Sequence, residues 1–102
     1  MELIPAEIAA TLPALYATEN NTDPIAIVKL FHSPSGWRWY VCEYSKEERI
    51  CFGLVIGFVS EKGYFSIEEL EEIEPFRVER DLFWKPKSLS QVEAKLNSTK
   101  HR

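Results

Sequence analysis

GWRWYVCEY, residues 36–44, places β-branched and aromatic side chains directly after a glycine, which is typical of a β-strand that leaves a turn. Similar runs lie on both sides of it, IAIVKLFH at 25–32 and RICFGLVIGFV at 49–59. The connections SPSG and SKEE between these runs are short and polar. Because such connections join neighbouring strands as hairpins, the three runs predict an antiparallel meander.

The pairing of these strands decides which aromatic side chains face the core, because successive side chains point to opposite faces of a sheet. If both hairpins are tight, Trp39 lies opposite Leu30 on one side and Leu54 on the other. One face is then continuously apolar and is expected to form the core: Ala26, Val28, Leu30, Trp39, Val41, Phe52, Leu54 and Ile56. A slip of one residue would exchange the two faces.

The opposite face of the predicted sheet is chemically mixed, and Tyr40 is expected to lie across from Gly53 on it. The side chains of this face that could bind a partner are Lys29, Phe31, Arg38, Tyr40 and Tyr44. Two interpretations stay open. In one, the C-terminal part of the chain covers the face and forms a second small core. In the other, the face is an exposed, partly aromatic platform.

Three further segments carry helical signals. LIPAEIAATLPAL, residues 3–15, has apolar residues at helical spacing. SIEELEEI, residues 66–73, begins with a capping box, in which a serine oxygen accepts from an amide of the first turn. Ser88 and Ser90 begin two competing capping boxes for a last helix that runs to about Leu96.

Together these signals predict a single α+β domain over residues 1–96, with a central antiparallel sheet of four to five strands and short flanking N-terminal, middle and C-terminal helices. A short strand at Tyr64 and Phe65 and a strand within FRVERDLFW, residues 76–84, are expected to complete the sheet. The polar residues 97–102 are expected to form a frayed tail.

The net charge, the length of the apolar runs and the cysteine content argue against several classes of protein. A net charge of −4 argues against a surface that binds phosphates generally, because nucleic-acid-binding proteins carry a basic excess. No apolar run is long enough to span a membrane, and the first residues lack the pattern of a secretory signal. Cys42 and Cys51 are too few for a disulfide scaffold, so a cytoplasmic location with reduced thiols is expected. They also lack the spacing of a metal site, and no metal or cofactor is expected.

The sequence shows no catalytic constellation. Its two histidines, His32 and His101, lie at a predicted strand end and in the predicted tail, and neither cysteine has a neighbouring histidine. We therefore expect no catalytic residues and a protein that is not an enzyme. An uncharacterised enzyme that uses dispersed carboxylates stays open as an alternative function.

Two charged segments are candidate binding elements. The predicted middle helix carries a run of carboxylates, which are expected to face solvent while its apolar residues face the core: Glu68, Glu69, Glu71, Glu72 and Glu74. Such a run can imitate the charge of a nucleic-acid backbone and attract a basic partner, or it is a solvated helix face. The second segment could form an ion-pair network or a recognition patch: Arg77, Glu79, Arg80 and Asp81.

The order of the motifs LPALYATE, DPIAIVKLF, GWRWYVCEY, KGYFSIEELEEI and VERDLFWKP resembles a family of small domains of unknown function. The resemblance covers about residues 12–90, and GYFS and VERD are its most specific elements. Members of that family are encoded largely on bacterial plasmids and integrative elements, often near conjugation and anti-restriction genes. The resemblance implies a genetic setting and carries over no catalytic residues.

These observations favour a non-enzymatic binding protein of a mobile genetic element. Its expected partner is a protein with a basic surface, such as a nucleic-acid-handling complex, and its expected effect is to inhibit or modulate a host defence nuclease of the CRISPR or restriction type. The alternative is a small nucleic-acid-binding module that stacks bases on the aromatic side chains of the mixed face and binds phosphates with its basic ones. No membrane contact is expected, and the oligomeric state stays open.

Overall fold

The computed structural model describes the backbone of residues 2–100 and the side chains of residues 2–96. Its helices and strands follow in this order: α1 (Ala6–Ala9), β1 (Ile25–Ala26), β2 (Val28–His32), β3 (Trp37–Ser45), β4 (Ile50–Ile56), β5 (Ser60–Ser66), α2 (Ile67–Glu71), β6 (Glu79–Arg80), β7 (Lys87–Ser88) and α3 (Leu89–Lys100). In this part of the chain a five-stranded antiparallel sheet has the order β5-β4-β3-β2-β6, and β1 pairs separately with β7. The predicted α+β class with a central antiparallel sheet is confirmed.

Some elements differ in length from the prediction. β5 covers seven residues instead of the two expected, whereas β6 covers only two residues of the FRVERDLFW segment. The predicted polar tail begins inside α3, whose backbone continues to Lys100. Residues 101 and 102, including His101, lie outside the described residues, as does Met1.

The hairpin of β2 and β3 has the predicted register. Leu30 lies opposite Trp39, and Val28 lies opposite Val41. The turn ends at Gly36, whose φ of +78° lies in the left-handed region that glycine adopts without steric cost. The short SPSG connection therefore sets this pairing as the sequence predicts.

The hairpin of β3 and β4 departs from the prediction by one residue. Tyr40 lies opposite Leu54, the position expected for Trp39. The register shifts between the residues on either side of Cys42, so Cys42 is the extra residue of a β-bulge. Since side chains alternate with a period of two, one extra residue reverses the alternation from that point onward.

The bulge exchanges the faces of β4 relative to the prediction. On the side of Trp39 lie Cys51, Gly53 and Val55, and on the side of Tyr40 lie Phe52, Leu54 and Ile56. Tyr44, which follows the bulge, joins the side of Trp39 and leaves the mixed face. The predictions that Phe52, Leu54 and Ile56 share the core face with Trp39, and that Tyr40 lies across from Gly53, are wrong for this reason.

Gly53 allows β3 and β4 to approach each other at the bulge. A Cβ atom on Gly53 would lie 1.8 Å from the carbonyl oxygen of Tyr40 and 3.2 Å from the Cα of Val41. Both neighbours are backbone atoms, so no side-chain rotation could relieve the overlap. A glycine within a strand commonly marks such a close approach.

The sheet separates two hydrophobic clusters. The larger lies on the side of Trp39: Leu3, Ile4, Val28, Leu30, Trp39, Val41, Tyr44, Cys51, Ile67, Leu70 and Val78. The smaller lies on the side of Tyr40: Ala26, Tyr40, Cys42, Leu54, Leu89 and Val92. Leu89 and Val92 belong to α3, so the C-terminal segment covers part of the mixed face and forms the second core. Ala26 belongs to this second core and not, as predicted, to the first.

The start of α3 is fixed by four polar side chains. Ser88 and Gln91 exchange hydrogen bonds, because the Gln91 N–H donates to Ser88 Oγ at 3.3 Å and the Ser88 N–H donates to Gln91 Oε1 at 3.0 Å. Of the two competing capping boxes, the one at Ser88 is therefore formed. Ser90 instead donates its N–H and its hydroxyl to Asp23, at 2.8 and 2.6 Å, and these bonds lower the pKa of Asp23.

We expect Gly53→Ala to destabilise the protein strongly and Gly63→Ala to leave its stability nearly unchanged. The two glycines are cross-strand neighbours, but a Cβ on Gly63 has nothing within 4 Å. Forcing extra volume into a packed contact costs about 1–3 kcal/mol in the free energy of unfolding, and a backbone overlap lies at the upper end. Denaturant unfolding of both variants measures the difference, and equal midpoints would contradict the bulge geometry.

We also expect Trp39→Ala to lower the free energy of unfolding more than Trp37→Ala does. Trp39 is 6% exposed in the larger cluster, whereas Trp37 is partly buried at its margin. Truncating a buried aromatic side chain costs about 3–5 kcal/mol, and a marginal one costs less. Thermal and chemical unfolding of the two variants should separate them, so indistinguishable losses would show that Trp39 is not the core residue.

Candidate binding surfaces on the two faces of the sheet

An open groove lies on the face of the sheet that carries Trp39, beside α2. Its volume is about 630 Å³. We call it the α2 groove and define it by its lining residues: His32, Ser35, Trp37, Trp39, Val55, Glu61, Lys62, Gly63, Tyr64, Phe65, Ser66, Glu69, Leu70 and Ile73. Aromatic and aliphatic side chains make most of this wall, and two carboxylates stand on it. Such a surface can receive apolar side chains of a partner.

The helix α2 begins where its capping box predicts. Ser66 Oγ accepts a hydrogen bond from the N–H of Glu69 at 3.2 Å. Ile67 and Leu70 are buried in the larger cluster, and Ile73 packs against it. The apolar residues of the segment therefore face the core as expected, and Leu70 and Ile73 also form one side of the groove.

The five glutamates of this segment do not share one environment. Glu71 is partly buried and has two partners within the fold. Its Oε1 lies 2.9 Å from Arg49 Nη2, and its Oε2 accepts from the N–H of Leu3 at 3.1 Å. Glu74 pairs with Arg77 at 3.4 Å on the surface. The expectation of a uniformly solvated acidic face is therefore wrong for Glu71. The exposed carboxylates without a described ion pair are Glu68, Glu69 and Glu72.

A smaller cavity of about 160 Å³ lies on the opposite face of the sheet, between β2, β3 and α3. We call it the basic pocket and define it by its lining residues: Lys29, Arg38, Tyr40, Trp84, Lys87, Gln91, Val92, Lys95 and Leu96. Four of these residues are cationic and none is acidic. Because the whole chain has a net charge of −4, this is a local concentration of positive charge.

Two aromatic rings form one wall of the basic pocket. The ring centroids of Tyr40 and Trp84 are 5.4 Å apart, and Trp84 Nε1 donates to the carbonyl of Ala26 at 3.0 Å. Lys29 Nζ lies 5.8 Å and Lys87 Nζ 5.0 Å from the Trp84 ring centroid. These distances allow cation–π attraction, which holds both ammonium groups beside the cavity.

The charges around the basic pocket are only partly compensated. Lys29 Nζ lies 3.6 Å from Asp81 Oδ2, but the described ion pairs include none of Arg38, Lys87 and Lys95. Arg38 Nε is buried and has no hydrogen-bond partner within the described part of the chain. Burial raises the pKa of Tyr40, against the charge and hydrogen bond of Arg38, so the Tyr40 hydroxyl stays protonated at neutral pH.

The structure brings together three of the five residues predicted on the mixed face. Lys29, Arg38 and Tyr40 line the basic pocket. Phe31 lies on the same face, opposite Arg38 in β3, but does not line the pocket. Tyr44 is buried on the opposite face, in the larger cluster, because of the bulge. These five side chains therefore do not form one continuous platform.

Sequence reasoning missed the part of the pocket that the C-terminal segment supplies. Lys87 lines the cavity from β7, and Gln91 and Lys95 line it from α3. The spacing of four between Gln91 and Lys95 places their side chains on one side of a helix, and this was the available signal. Trp84 carried no comparable signal, because its position follows from the loop between β6 and β7.

The described contacts of the segment Arg77 to Asp81 run to different parts of the chain. Arg77 pairs with Glu74, and Arg80 Nη1 donates to the carbonyls of Glu2 and Leu3 at 3.0 and 2.9 Å. Asp81 pairs with Lys29, whereas the side chain of Glu79 is exposed. The segment thus connects the N-terminal residues to the sheet.

Glu43 is a buried carboxylate that the sequence did not single out. It is 2% exposed and accepts hydrogen bonds from the N–H of Tyr16 at 2.8 Å and the N–H of Thr18 at 2.9 Å, as well as from the Thr18 hydroxyl. These bonds hold the loop between α1 and β1 against β3. Since its oxygens are occupied by donors of the chain, Glu43 has a structural role.

The nucleophilic side chains are not arranged for catalysis. Cys42 and Cys51 are free and buried in different clusters. Burial raises the pKa of the Cys42 thiol to about 12 and also raises that of Cys51, so both are protonated and poorly nucleophilic at neutral pH. His32 contacts Ser35 Oγ at 2.6 Å and the Phe76 carbonyl at 2.9 Å. No group of three or more potential metal ligands occurs among the described residues.

The fold and these surfaces define a small α+β domain with an apolar groove on one face and a basic pocket on the other. The chain belongs to the family described as protein of unknown function (DUF2958), whose family model matches residues 3–99. No curated protein and no solved structure matches the chain. Within the described residues, no helix is both long and apolar enough to cross a membrane.

The position of Glu71 predicts that it stabilises the fold, whereas Glu72 does not. Glu71→Ala removes the partner of Arg49 and of the Leu3 amide, which should lower the free energy of unfolding by about 1–3 kcal/mol. Glu72→Ala removes an exposed carboxylate and should change it by less than about 0.5 kcal/mol. Urea unfolding measures both, and equal values would contradict the structural role of Glu71.

Proposed function

We propose that this protein is a non-enzymatic binding protein that docks a segment of a protein partner in the α2 groove. The observation that carries the proposal is the groove itself, which is open and lined mainly by apolar side chains. Aromatic and aliphatic residues of a partner could fill it and remove apolar surface from water. The partner segment would therefore present apolar side chains.

The charges at the groove indicate which residues should flank the apolar side chains of that segment. Glu61 and Glu69 line the groove beside a single lysine, and Glu68 and Glu72 are exposed on the adjoining helix segment. Carboxylates at the rim favour lysine or arginine on a partner and accelerate association at low salt. The proposed occupant is thus an apolar segment flanked by basic residues.

The setting of this activity is proposed from the resemblance to domains encoded on mobile elements. A protein of such an element would meet host proteins that handle nucleic acid in the bacterial cytoplasm, and these carry basic surfaces. Binding to one of them would block or modulate a defence nuclease of the CRISPR or restriction type. This setting rests on the genetic context of similar domains and on charge complementarity.

The geometry gives less support to a module that stacks nucleic-acid bases on the mixed face. Tyr40 is 3% exposed and Tyr44 is 7% exposed, and the two lie on opposite sides of the sheet. Base stacking requires accessible aromatic faces. The third alternative, an enzyme with dispersed carboxylates, has less support: among the described residues, two carboxylates, Glu61 and Glu69, line the α2 groove, and none lines the basic pocket.

Selection of short random peptides displayed on phage against the immobilised protein tests the proposed function. Enriched peptides should combine aromatic or aliphatic residues with lysine or arginine, and their affinity should fall as salt rises. Gly63→Leu should abolish this binding, because its new side chain projects from a position with open space around the Cβ and lines the groove. Enriched peptides that bind Gly63→Leu as well as the wild type would contradict the proposal.

A pair of charge variants separates the groove from the rest of the acidic surface. Glu69→Gln/Glu72→Gln should slow association of the selected peptides at low salt. Glu47→Gln/Glu48→Gln removes the same charge from the exposed turn between β3 and β4 and should leave association nearly unchanged. Equal effects of both pairs would mean that net charge, and not the groove, attracts the peptides.

A further inference from the structure

The basic pocket has the features of a site for a small anion. It is enclosed by a strand pair, an aromatic wall and α3, and it collects Lys29, Arg38, Lys87 and Lys95 around about 160 Å³. Like charges brought together in this way repel one another. A bound anion would offset this repulsion.

Two observations indicate that the described part of the chain supplies only part of the counter-charge. Asp81 compensates Lys29, but the described ion pairs provide no carboxylate for the other three cations. The buried Nε of Arg38 has no acceptor within the described part of the chain. Buried donors in native proteins are almost always satisfied, so an unpaired arginine N–H in a cationic cavity indicates an acceptor from a ligand.

From this arrangement we infer that the basic pocket binds a phosphate monoester that is dianionic and has a small apolar substituent. Three uncompensated cations favour a dianion over a carboxylate, and arginine and lysine together are typical phosphate ligands. Val92 and Leu96 supply an apolar wall for the body of the ligand. The volume admits a phosphate with a small substituent, since water occupies about 30 Å³ per molecule in the liquid.

This site is independent of the proposed protein docking. It lies on the other face of the sheet from the α2 groove, and the two linings share no residue. Gly63→Leu should therefore leave phosphate binding unchanged. Failure of one proposal would not affect the other.

Titration of the full chain with phenyl phosphate, followed by NMR shifts of the arginine and tryptophan side-chain N–H groups, tests the inference. Saturable shifts are expected at Arg38 Nε–H and at Trp84 Nε1–H. Inorganic phosphate, which lacks the apolar body, should bind more weakly, and benzoate, which has one negative charge, more weakly still. Absence of saturable shifts with phenyl phosphate would overturn the inference, and so would equal affinity for benzoate. Equal affinity for inorganic phosphate would overturn the role of Val92 and Leu96.

A matched pair of charge variants locates the site. Lys87→Gln/Lys95→Gln should weaken phenyl phosphate binding by about tenfold or more, because it removes two of the ligating charges. Lys46→Gln/Lys85→Gln removes the same charge from exposed positions outside the pocket and should change affinity by less than about twofold. Equal losses in both pairs would overturn the site.

A single-stranded oligonucleotide without a terminal phosphate distinguishes a small ligand from nucleic acid. The small-ligand assignment predicts no shift of Arg38 Nε–H with this probe, because an internal phosphodiester carries one charge and two bulky substituents. A saturable shift that is lost in Lys87→Gln/Lys95→Gln would overturn the assignment in favour of a nucleic-acid backbone.

Discussion

The close backbone contact between Gly53 and Tyr40 is the constraint on which the rest of the structure depends. A Cβ at position 53 would lie 1.8 Å from the Tyr40 carbonyl oxygen, so only glycine permits the strands to pair this closely beside the bulge at Cys42. The bulge reverses the alternation of β3. As a result Trp39 and, beyond the bulge, Tyr44 enter the larger cluster together. This one-residue change decides which residues of β4 lie on each face of the sheet.

The register gives the two faces of the sheet different chemistry. On the side of Trp39, α2 leaves an apolar groove whose rim carries exposed carboxylates. On the side of Tyr40, α3 closes a small core and completes a cationic cavity. Although the chain has a net charge of −4, its charges are separated. Carboxylates lie at the rim of the α2 groove, and cations surround the basic pocket. We propose that a protein segment and a small phosphate ligand are received on opposite sides, so that each site can change without disturbing the other.

Local signals predicted the parts of the fold that depend on local interactions. The pairing of Leu30 with Trp39 follows from a short turn, and the start of α2 follows from the Ser66 cap. The β3–β4 register could not be predicted in the same way, because both alternating sets of β4 are apolar. The hydrophobic pattern alone is therefore compatible with either set of β4 side chains facing the larger cluster. Gly53 was the available sign of a bulge, since glycine inside a strand weakens pairing unless a close approach requires it.

The candidate sites were predictable only in part for a related reason. Lys29, Arg38 and Tyr40 share a strand face in any register of β4, so their convergence follows from the first hairpin. Which elements cover that face depends on contacts between residues far apart in sequence, such as the bond from Trp84 to Ala26. The carboxylate run could be predicted as a segment, but the roles of its individual residues could not. Its pattern identified an acidic segment, but the use of Glu71 as a structural partner of Arg49 became visible only in the folded chain.

Nuclear Overhauser effects between side chains across β3 and β4 test the central claim most directly. The register described here predicts contacts from the Tyr40 ring protons to the methyl groups of Leu54 and Val92, which share its cluster. The indole protons of Trp39 should instead contact the methyl groups of Val55. Contacts between the Trp39 indole and the Leu54 methyl groups, with none from Tyr40 to Leu54, would contradict the bulge and the placement of both surfaces.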